Sequence, residues 1–245
     1  MIEDFQVIAH RGTSRYAPEN TMAAFCKAHE LGCYYIECDI SFSKDGVPFI
    51  FHDNHLNRTT NGKGKISHLT WQEINCLDAG SWFSPDYAGE KLVSLKQLLE
   101  WHQKTGKMIN LEIKPIKTSL LNSYLDIILN EVGRARNSKG LIFSSFQAEV
   151  LKRLHVIEQP VPYAMLASRW QKKHVMFASE IGCSQLNVAH LSLSSSAVAF
   201  THEQGLKVGA YTVNEVLRAQ QLKEQDVDAI FTDDIPLIKK GLKAP

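Results

Sequence analysis

The chain lacks a long hydrophobic run, a cluster of one charge sign and any paired cysteines. Its 245 residues carry 27 Lys+Arg against 26 Asp+Glu, a formal net charge of +1. Without a Lys/Arg-rich stretch there is no electrostatic footprint for a polyanion, so nucleic acid is not an expected partner. The five cysteines, Cys26, Cys33, Cys38, Cys76 and Cys183, are odd in number and scattered, with no C-x-x-C pair. That argues against a disulfide framework and a structural zinc site, and it suits a reducing cytoplasm. The longest uncharged stretch, 181–202, is interrupted by Gln185, Asn187, two histidines and five serines, too polar to span a bilayer. The first five residues hold two acids and no basic region, so no export signal is read there. The expectation is a cytoplasmic protein without stable membrane association. Its oligomeric state is not encoded in any pattern found.

What is present is a repeated strand-then-helix pattern. Strands are predicted at Gln6–Ala9, 34–42, Met108–Ile113, 141–144, Tyr163–Ala167, 186–189, 208–213 and Ala229–Thr232. Helical stretches lie between most of them, including 21–31, Leu95–Thr105 behind a Ser94 cap, and 120–132. Alternating βα units imply a parallel sheet, and eight of them at this length imply a closed (β/α)8 TIM barrel, one domain over 1–245. No G-x-G-x-x-G follows a strand, so the dinucleotide-binding fingerprint is missing. Two features distort the barrel. Residues 47–52 also read as a strand, too close to the second strand for a crossover helix. They imply a β-hairpin turning at Asp45-Gly46, with Asp39 facing His52. Residues 54–92 form an insertion of about forty residues whose Trp71, Trp82, Phe83 and Tyr87 favour an ordered cap.

In such a barrel the chemistry sits at the carboxyl ends of the strands. The first strand ends in His10-Arg11, the second carries Glu37 and Asp39, the hairpin ends in His52-Asp53, and the third barrel strand ends in Glu112 and Lys114. Residues two apart on a strand share a face, so Glu37 with Asp39, and Glu112 with Lys114, point the same way. Buried carboxylates need a counter-charge. Three at one rim make a hard oxygen cage suited to one divalent cation, Mg²⁺ or Ca²⁺ (Mn²⁺ being a further option), rather than zinc. The alternative is a plain ion network in which Glu37 and Glu112 pair with Arg11 and Lys114. A cation, Arg11 and Lys114 around one point call for a phosphate-bearing substrate, and His10 with His52 would supply a general acid and base. Cys38, between two inward acids, should face the barrel wall. The eighth strand ends in Thr232-Asp233-Asp234, and the extra acid there reads as solvated, with a supporting place behind the site as the alternative.

The runs Ile8-Ala9-His10-Arg11-Gly12, Ala17-Pro18-Glu19-Asn20-Thr21, Ile36-Glu37-Cys38-Asp39-Ile40, Phe51-His52-Asp53, Arg58-Thr59-Thr60-Asn61-Gly62, Leu111-Glu112-Ile113-Lys114-Pro115 and Tyr211-Thr212-Val213-Asn214 closely resemble the glycerophosphodiester phosphodiesterase family. The resemblance spans nearly the whole chain and is to the short bacterial cytoplasmic type. It implies hydrolysis of glycerophosphodiesters such as glycerophosphocholine or glycerophosphoethanolamine to sn-glycerol 3-phosphate and an alcohol. It also implies Glu37, Asp39 and Glu112 as metal ligands, His10 as proton acceptor and His52 as proton donor. Arg11 and Lys114 become phosphate contacts, Glu19 a supporting hydrogen bond or an extra metal contact, and Tyr211 stands on the substrate side where relatives often carry Trp.

Two other functions are compatible with this barrel. One is a lysophospholipase D- or sphingomyelinase D-like phosphodiesterase, which needs an apolar surface at the mouth. The other is a non-catalytic barrel that binds phosphodiesters, against which stands the complete set of histidines and acids. In the first reading the insertion's aromatics wall off the glycerol or leaving-group side.

Overall fold

The computed structural model describes residues 5–135, 138–158 and 160–243. Residues 1–4, in the stretch read as lacking an export signal, lie outside the described residues. Eight parallel strands close on themselves: β1 (Gln6–Ala9), β2 (Tyr35–Phe42), β5 (Met108–Ile113), β6 (Leu141–Ser145), β7 (Tyr163–Ala167), β8 (Gln185–Ala189), β9 (Lys207–Tyr211) and β10 (Ala229–Thr232). Closure is made by β1, which pairs with β10 (Ile8 opposite Phe231) on one side and with β2 (Ile8 opposite Tyr35) on the other. Helices follow the strands around the outside, so the protein is a (β/α)8 barrel.

The strands are mostly apolar because both faces are covered. All eight residues of β2 are buried. Its outward residues Ile36, Cys38 and Ile40 pack with helical residues such as Phe25 and Leu98 in the large outer core. Cys38 therefore faces the barrel wall. The inward residues alternate with these: Ile8, Tyr35, Ile142, Ala164, Ala229 and Phe231 fill the barrel axis. The same alternation delivers Glu37 and Asp39 inward. Helix starts follow their caps. Thr21 Oγ1 accepts from Ala24 N to open α1 (Met22–Glu30). Ser94 and Gln97 close a reciprocal capping box on α3 (Leu95–Thr105), which stops at Gly106 in the left-handed region.

Three details differ from the sequence-based expectations. The hairpin joins β2 to β3 (Pro48–Ile50), but its register is one residue off. Ile40 faces Ile50, and Asp39 accepts from Phe51 N at 2.8 Å, so Asp39 does not face His52. The turn takes three residues, Lys44-Asp45-Gly46, because the Ser43 hydroxyl binds both Asp45 Oδ1 and Val47 N, and Gly46 supplies φ +77. A last helix, α9 (Ile235–Lys243), was absent from the expected set. Pro236 and Gly241 mask it in sequence, yet proline fits a first helical turn. The insertion is ordered, as expected, but around a core of its own, made of Phe49, Phe51, Leu56, Ile66, Ile74, Ala79 and Leu92 with Trp71 against it. Gly80 is required inside it, since a Cβ there would lie 1.9 Å from Tyr87 O.

Candidate active site

Glu37, Asp39 and Glu112 meet at the carboxyl-terminal rim. The register of β2 on β5 sets Asp39 opposite Glu112, with Glu37 one layer deeper opposite Asn110. One oxygen from each carboxylate lies within 4.8 Å of the others, and all three residues are buried. The two bases cover only part of this charge. Lys114 Nζ is 2.8 Å from Glu112 Oε1 and 3.4 Å from Asp39 Oδ1, and Arg11 Nε is 3.5 Å from Asp39 Oδ2. Asn20 donates to Asp39 Oδ2 at 2.8 Å. Among the described residues no lysine or arginine side chain pairs with Glu37; its Oε2 accepts the Arg11 backbone N–H at 3.0 Å and lies 4.0 Å from His10 Nε2. The electrostatics follow this unequal pairing. Burial and the adjacent Asp39 push the Glu37 carboxyl up to about 8. Burial also raises Glu112, with Asp39 adding to it and Lys114 opposing. Asp39 goes the other way, since Arg11 and Lys114 outweigh its burial. An ion network thus accounts for Asp39 and Glu112 but leaves Glu37 short of positive charge. Three buried hard oxygen donors with a charge deficit fit a divalent cation such as Mg²⁺ or Ca²⁺.

The two histidines flank the cage, and each is gripped from behind. His10, at the end of β1, places Nδ1 2.7 Å from Asp233 Oδ1, leaving Nε2 4.0 Å from Glu37 Oε2. His52, just past β3, places Nδ1 2.6 Å from Asp53 Oδ1. Both aspartates are held well below the usual carboxylate range. For Asp233, burial works upward but the bonds from His10, Ser14 and Asn214 prevail; for Asp53 the Arg58 guanidinium dominates. An ionised carboxylate only accepts, so each Nδ1 carries the proton and each Nε2 is free for the cavity. The rings then diverge. Burial lowers His10, but Asp233 and Glu37 outweigh it and the net shift is upward. Burial, with Arg11 and Lys114, brings His52 down against Asp39 and Asp53.

Arg11 sits in the left-handed region at φ +52, which turns its amide onto Glu37 and its side chain toward Asp39 and Glu19. Gly12 follows at φ +81 in a space that admits no side chain: a Cβ would lie 2.8 Å from Phe25 Cδ1 and 2.9 Å from Ala24 Cβ. Glu19 accepts from Arg11 Nη1 at 2.7 Å and takes two bonds from Arg58. Tyr211 donates its hydroxyl to Ala167 O at 2.6 Å and turns its ring edge-on to Phe146. These groups surround a cavity of about 230 Å³. One side is His10, Arg11, Glu37, His52, Glu112 and Lys114, and the other is Phe146, Leu166, Tyr211 and Phe231. A larger cavity of about 760 Å³ lies among Phe5, His202, Lys223 and Lys239. It contains none of the three clustered acids, and the strand-end position marks the smaller one as the site.

The glycerophosphoryl diester phosphodiesterase family model matches residues 10–237, which is nearly all of the chain and every group just described. The chain belongs to this family. A glycerophosphodiester phosphodiesterase of Caldanaerobacter subterraneus subsp. tengcongensis is 30% identical over 96% of this chain and 98% of its own. YhdW of Bacillus subtilis is 33% identical over 93% of each chain. The structure of an Oleispira antarctica phosphodiesterase in complex with the product sn-glycerol-3-phosphate superposes with a TM-score of 0.93 at 31% identity, covering 98% of this chain and 97% of that one. The protein is thus an enzyme of the glycerophosphodiester phosphodiesterase family with that family's barrel.

The structure brings His10, Arg11, Glu37, Asp39, His52, Glu112 and Lys114 together at one rim, with Tyr211 on the apolar side. It corrects Asp233, read as solvated, which is the hydrogen-bond partner of His10. The strand-end rule places Asp233 at the rim, directly after β10, but does not reveal that its partner is His10. Asp53 and Arg58 had no assigned part. Arg58 carries no local signal, because its partners stand 5 and 39 residues away. The insertion's aromatics line none of the site cavity. Trp71 packs on Phe49, and Phe83 meets Trp82 and Tyr87 edge-to-face. The aromatics that do line it, Phe146, Tyr211 and Phe231, come from β6, β9 and β10 or their ends. Among the described residues no helix is long and apolar enough to cross a membrane.

Proposed function

We propose that the chain hydrolyses water-soluble glycerophosphodiesters, glycerophosphocholine and glycerophosphoethanolamine among them, to sn-glycerol 3-phosphate and the free alcohol, with a divalent cation. The observation that carries this reading is the juxtaposition of two aspartate-held imidazoles with an acid cage short of positive charge. Glu37, Asp39 and Glu112 would hold the cation, whose charge offsets the buried acids and the phosphodiester oxygens. Arg11 and Lys114, the bases already at the cage, orient the phosphate by charge-assisted hydrogen bonds. His10 Nε2 takes the proton from the attacking oxygen, either water or the glycerol's own adjacent hydroxyl (in which case water then opens the cyclic phosphate), and Asp233 steadies the imidazolium that forms. His52 in its imidazolium form, which the bound phosphodiester's negative charge favours, gives its Nε2 proton to the departing alkoxide as the P–O bond breaks, with Asp53 keeping its ring oriented. Neutralising Glu37 removes one influence that raises His10 and so favours its proton-accepting form. The O. antarctica phosphodiesterase, solved with sn-glycerol-3-phosphate as product, supports the same product here.

One observation favours a second substrate class. Phe146 lines the cavity yet is 43% exposed, so the apolar side opens to solvent where an acyl chain would leave the site. The experiment is a head-group panel assayed for glycerol 3-phosphate release, beside a micellar lysophospholipid assayed for choline release, each with Mg²⁺, Ca²⁺, Mn²⁺ or chelator. Preference for the soluble diesters supports the proposal; preference for the lipid replaces it with the second reading; no turnover of either sinks both.

A further inference from the structure

Arg58 projects from the insertion and does not line the reaction cavity; its side chain is 45% exposed. It nevertheless makes four short contacts with two carboxylates. Nε and Nη2 donate to Asp53 Oδ2 and Oδ1 at 2.7 and 3.0 Å, and Nη1 and Nη2 donate to Glu19 Oε2 and Oε1 at 2.7 Å each. Nη2 is the pivot. It binds the same Asp53 oxygen that His52 Nδ1 meets at 2.6 Å, and the same Glu19 oxygen that Arg11 Nη1 meets at 2.7 Å. A continuous chain therefore runs Arg11, Glu19, Arg58, Asp53, His52. We infer that Arg58 is a positioning residue that fixes the His52 ring and the Arg11 guanidinium in one arrangement through this shared nitrogen.

The physical reason lies in the geometry of guanidinium. Its planar fork meets two carboxylates at once, each by two bonds, and so fixes their planes as well as their distance. Asp53 without Arg58 is a short side chain on a loop with only the imidazole to orient it. Glu19 without Arg58 keeps one partner, Arg11. A lysine keeps the charge but presents a single nitrogen on a flexible stem, which cannot reproduce four directed bonds. Because the insertion folds around its own core, this contact also links the folding of that unit to the assembly of the site.

The inference rests on the phosphodiesterase reading for its kinetic consequence, but the ring orientation can be read without turnover. The test uses the full chain as wild type, R58K, R58A and the R58A/D53N double variant. The His52 imidazole is followed by ¹H–¹⁵N NMR, and kcat and KM are measured on glycerophosphocholine with Mg²⁺. The wild type is expected to show an exchange-protected His52 Nδ1–H signal that weakens or vanishes in both R58K and R58A. Catalytic efficiency is expected to fall about 30-fold or more in both, the range for a displaced proton-transfer group. The double variant is expected to be no more than about threefold worse than R58A, since both changes break one path. A protected Nδ1–H unchanged in R58K and R58A overturns the inference whatever the kinetics. So does an R58K enzyme with more than half the wild-type efficiency, or losses that multiply in the double variant. Should R58A fail to fold by circular dichroism, R58K decides. Should the wild type turn over no phosphodiester, the functional reading fails and the NMR signal alone decides the positioning role.

Discussion

His10 Nδ1 lies 2.7 Å from Asp233 Oδ1, a hydrogen bond that spans 223 residues and joins the first barrel strand to the last. Asp233 is itself held from two sides, by Ser14 Oγ at 2.7 Å and by Asn214 Nδ2 at 2.7 Å. It stays ionised and fixes which ring nitrogen of His10 faces the substrate. Asp233→Asn offers an amide where a carboxylate stood and allows the wrong tautomer. It should lower kcat by about 10²-fold or more with little change in melting temperature, the scale of a lost acid–base group. Steady-state kinetics with thermal denaturation checks it; near-normal kcat would mean the tautomer is set some other way.

The two imidazoles make separate proton transfers in this account, so each must matter alone. His10→Ala and His52→Ala should each lower turnover by about 10²-fold or more. An alcohol with a much better leaving group, such as p-nitrophenol, should restore much of the rate in His52→Ala and little in His10→Ala. Equal rescue of both would contradict the division of roles.

Glu37 gives the clearest stability test of the cage. Burial and Asp39 push its carboxyl up to about 8, so the folded, metal-free protein keeps a proton there that the unfolded chain loses near pH 4.5. Stability of the metal-free protein should therefore fall as pH rises between those values. In chelator, Glu37→Gln should melt above the wild type at pH 8.5, by about 2 °C or more, with the gap closing toward pH 5. Added Mg²⁺ or Ca²⁺ should raise the wild-type melting temperature and leave Glu37→Gln almost unmoved. A wild type that melts identically with and without each cation would remove the metal centre.

The insertion has its own acid-sensitive anchor. Asp78 accepts from Gly80 N and Ser81 N at 2.8 Å each, and from Ser81 Oγ and Gly89 N at 2.7 Å each. These bonds, led by Ser81 N, hold its carboxyl well below the usual range. A depressed folded value gives stability above about pH 4 that is lost as pH falls further. Asp78→Asn should lower the melting temperature at pH 7, and its difference from wild type should shrink below about pH 4. A pH series of melting curves decides it, and a constant difference down to pH 2 would exclude the anchor.

Much of the site was legible because a parallel strand has a strict two-residue alternation. Once β2 and β5 were recognised, Glu37, Asp39, Glu112 and Lys114 had to share one rim. His10 and His52 followed as strand-end residues. Asp233 was misread because its partners, Ser14 and Asn214, come from loops that only barrel closure brings together. Arg58 stands at the head of a run that carries the family resemblance, but its partners are not legible there, since its contacts depend on how the insertion docks. The hairpin slipped by one residue because a serine side chain, rather than the Asp-Gly pair alone, shaped the turn. Aromatic residues in the insertion suggest a wall, but Trp71 packs on the insertion's own small core, and Trp82 and Tyr87 pack on Phe83.

The most direct measurement is glycerol 3-phosphate release from glycerophosphocholine by the purified chain, first in chelator and then after Mg²⁺ or Ca²⁺ is restored. The account predicts no turnover in chelator, recovery on adding a divalent cation, and no recovery in Glu37→Gln at the same concentration. Glycerol 3-phosphate formed at full rate in chelator, or none under any cation, would contradict it.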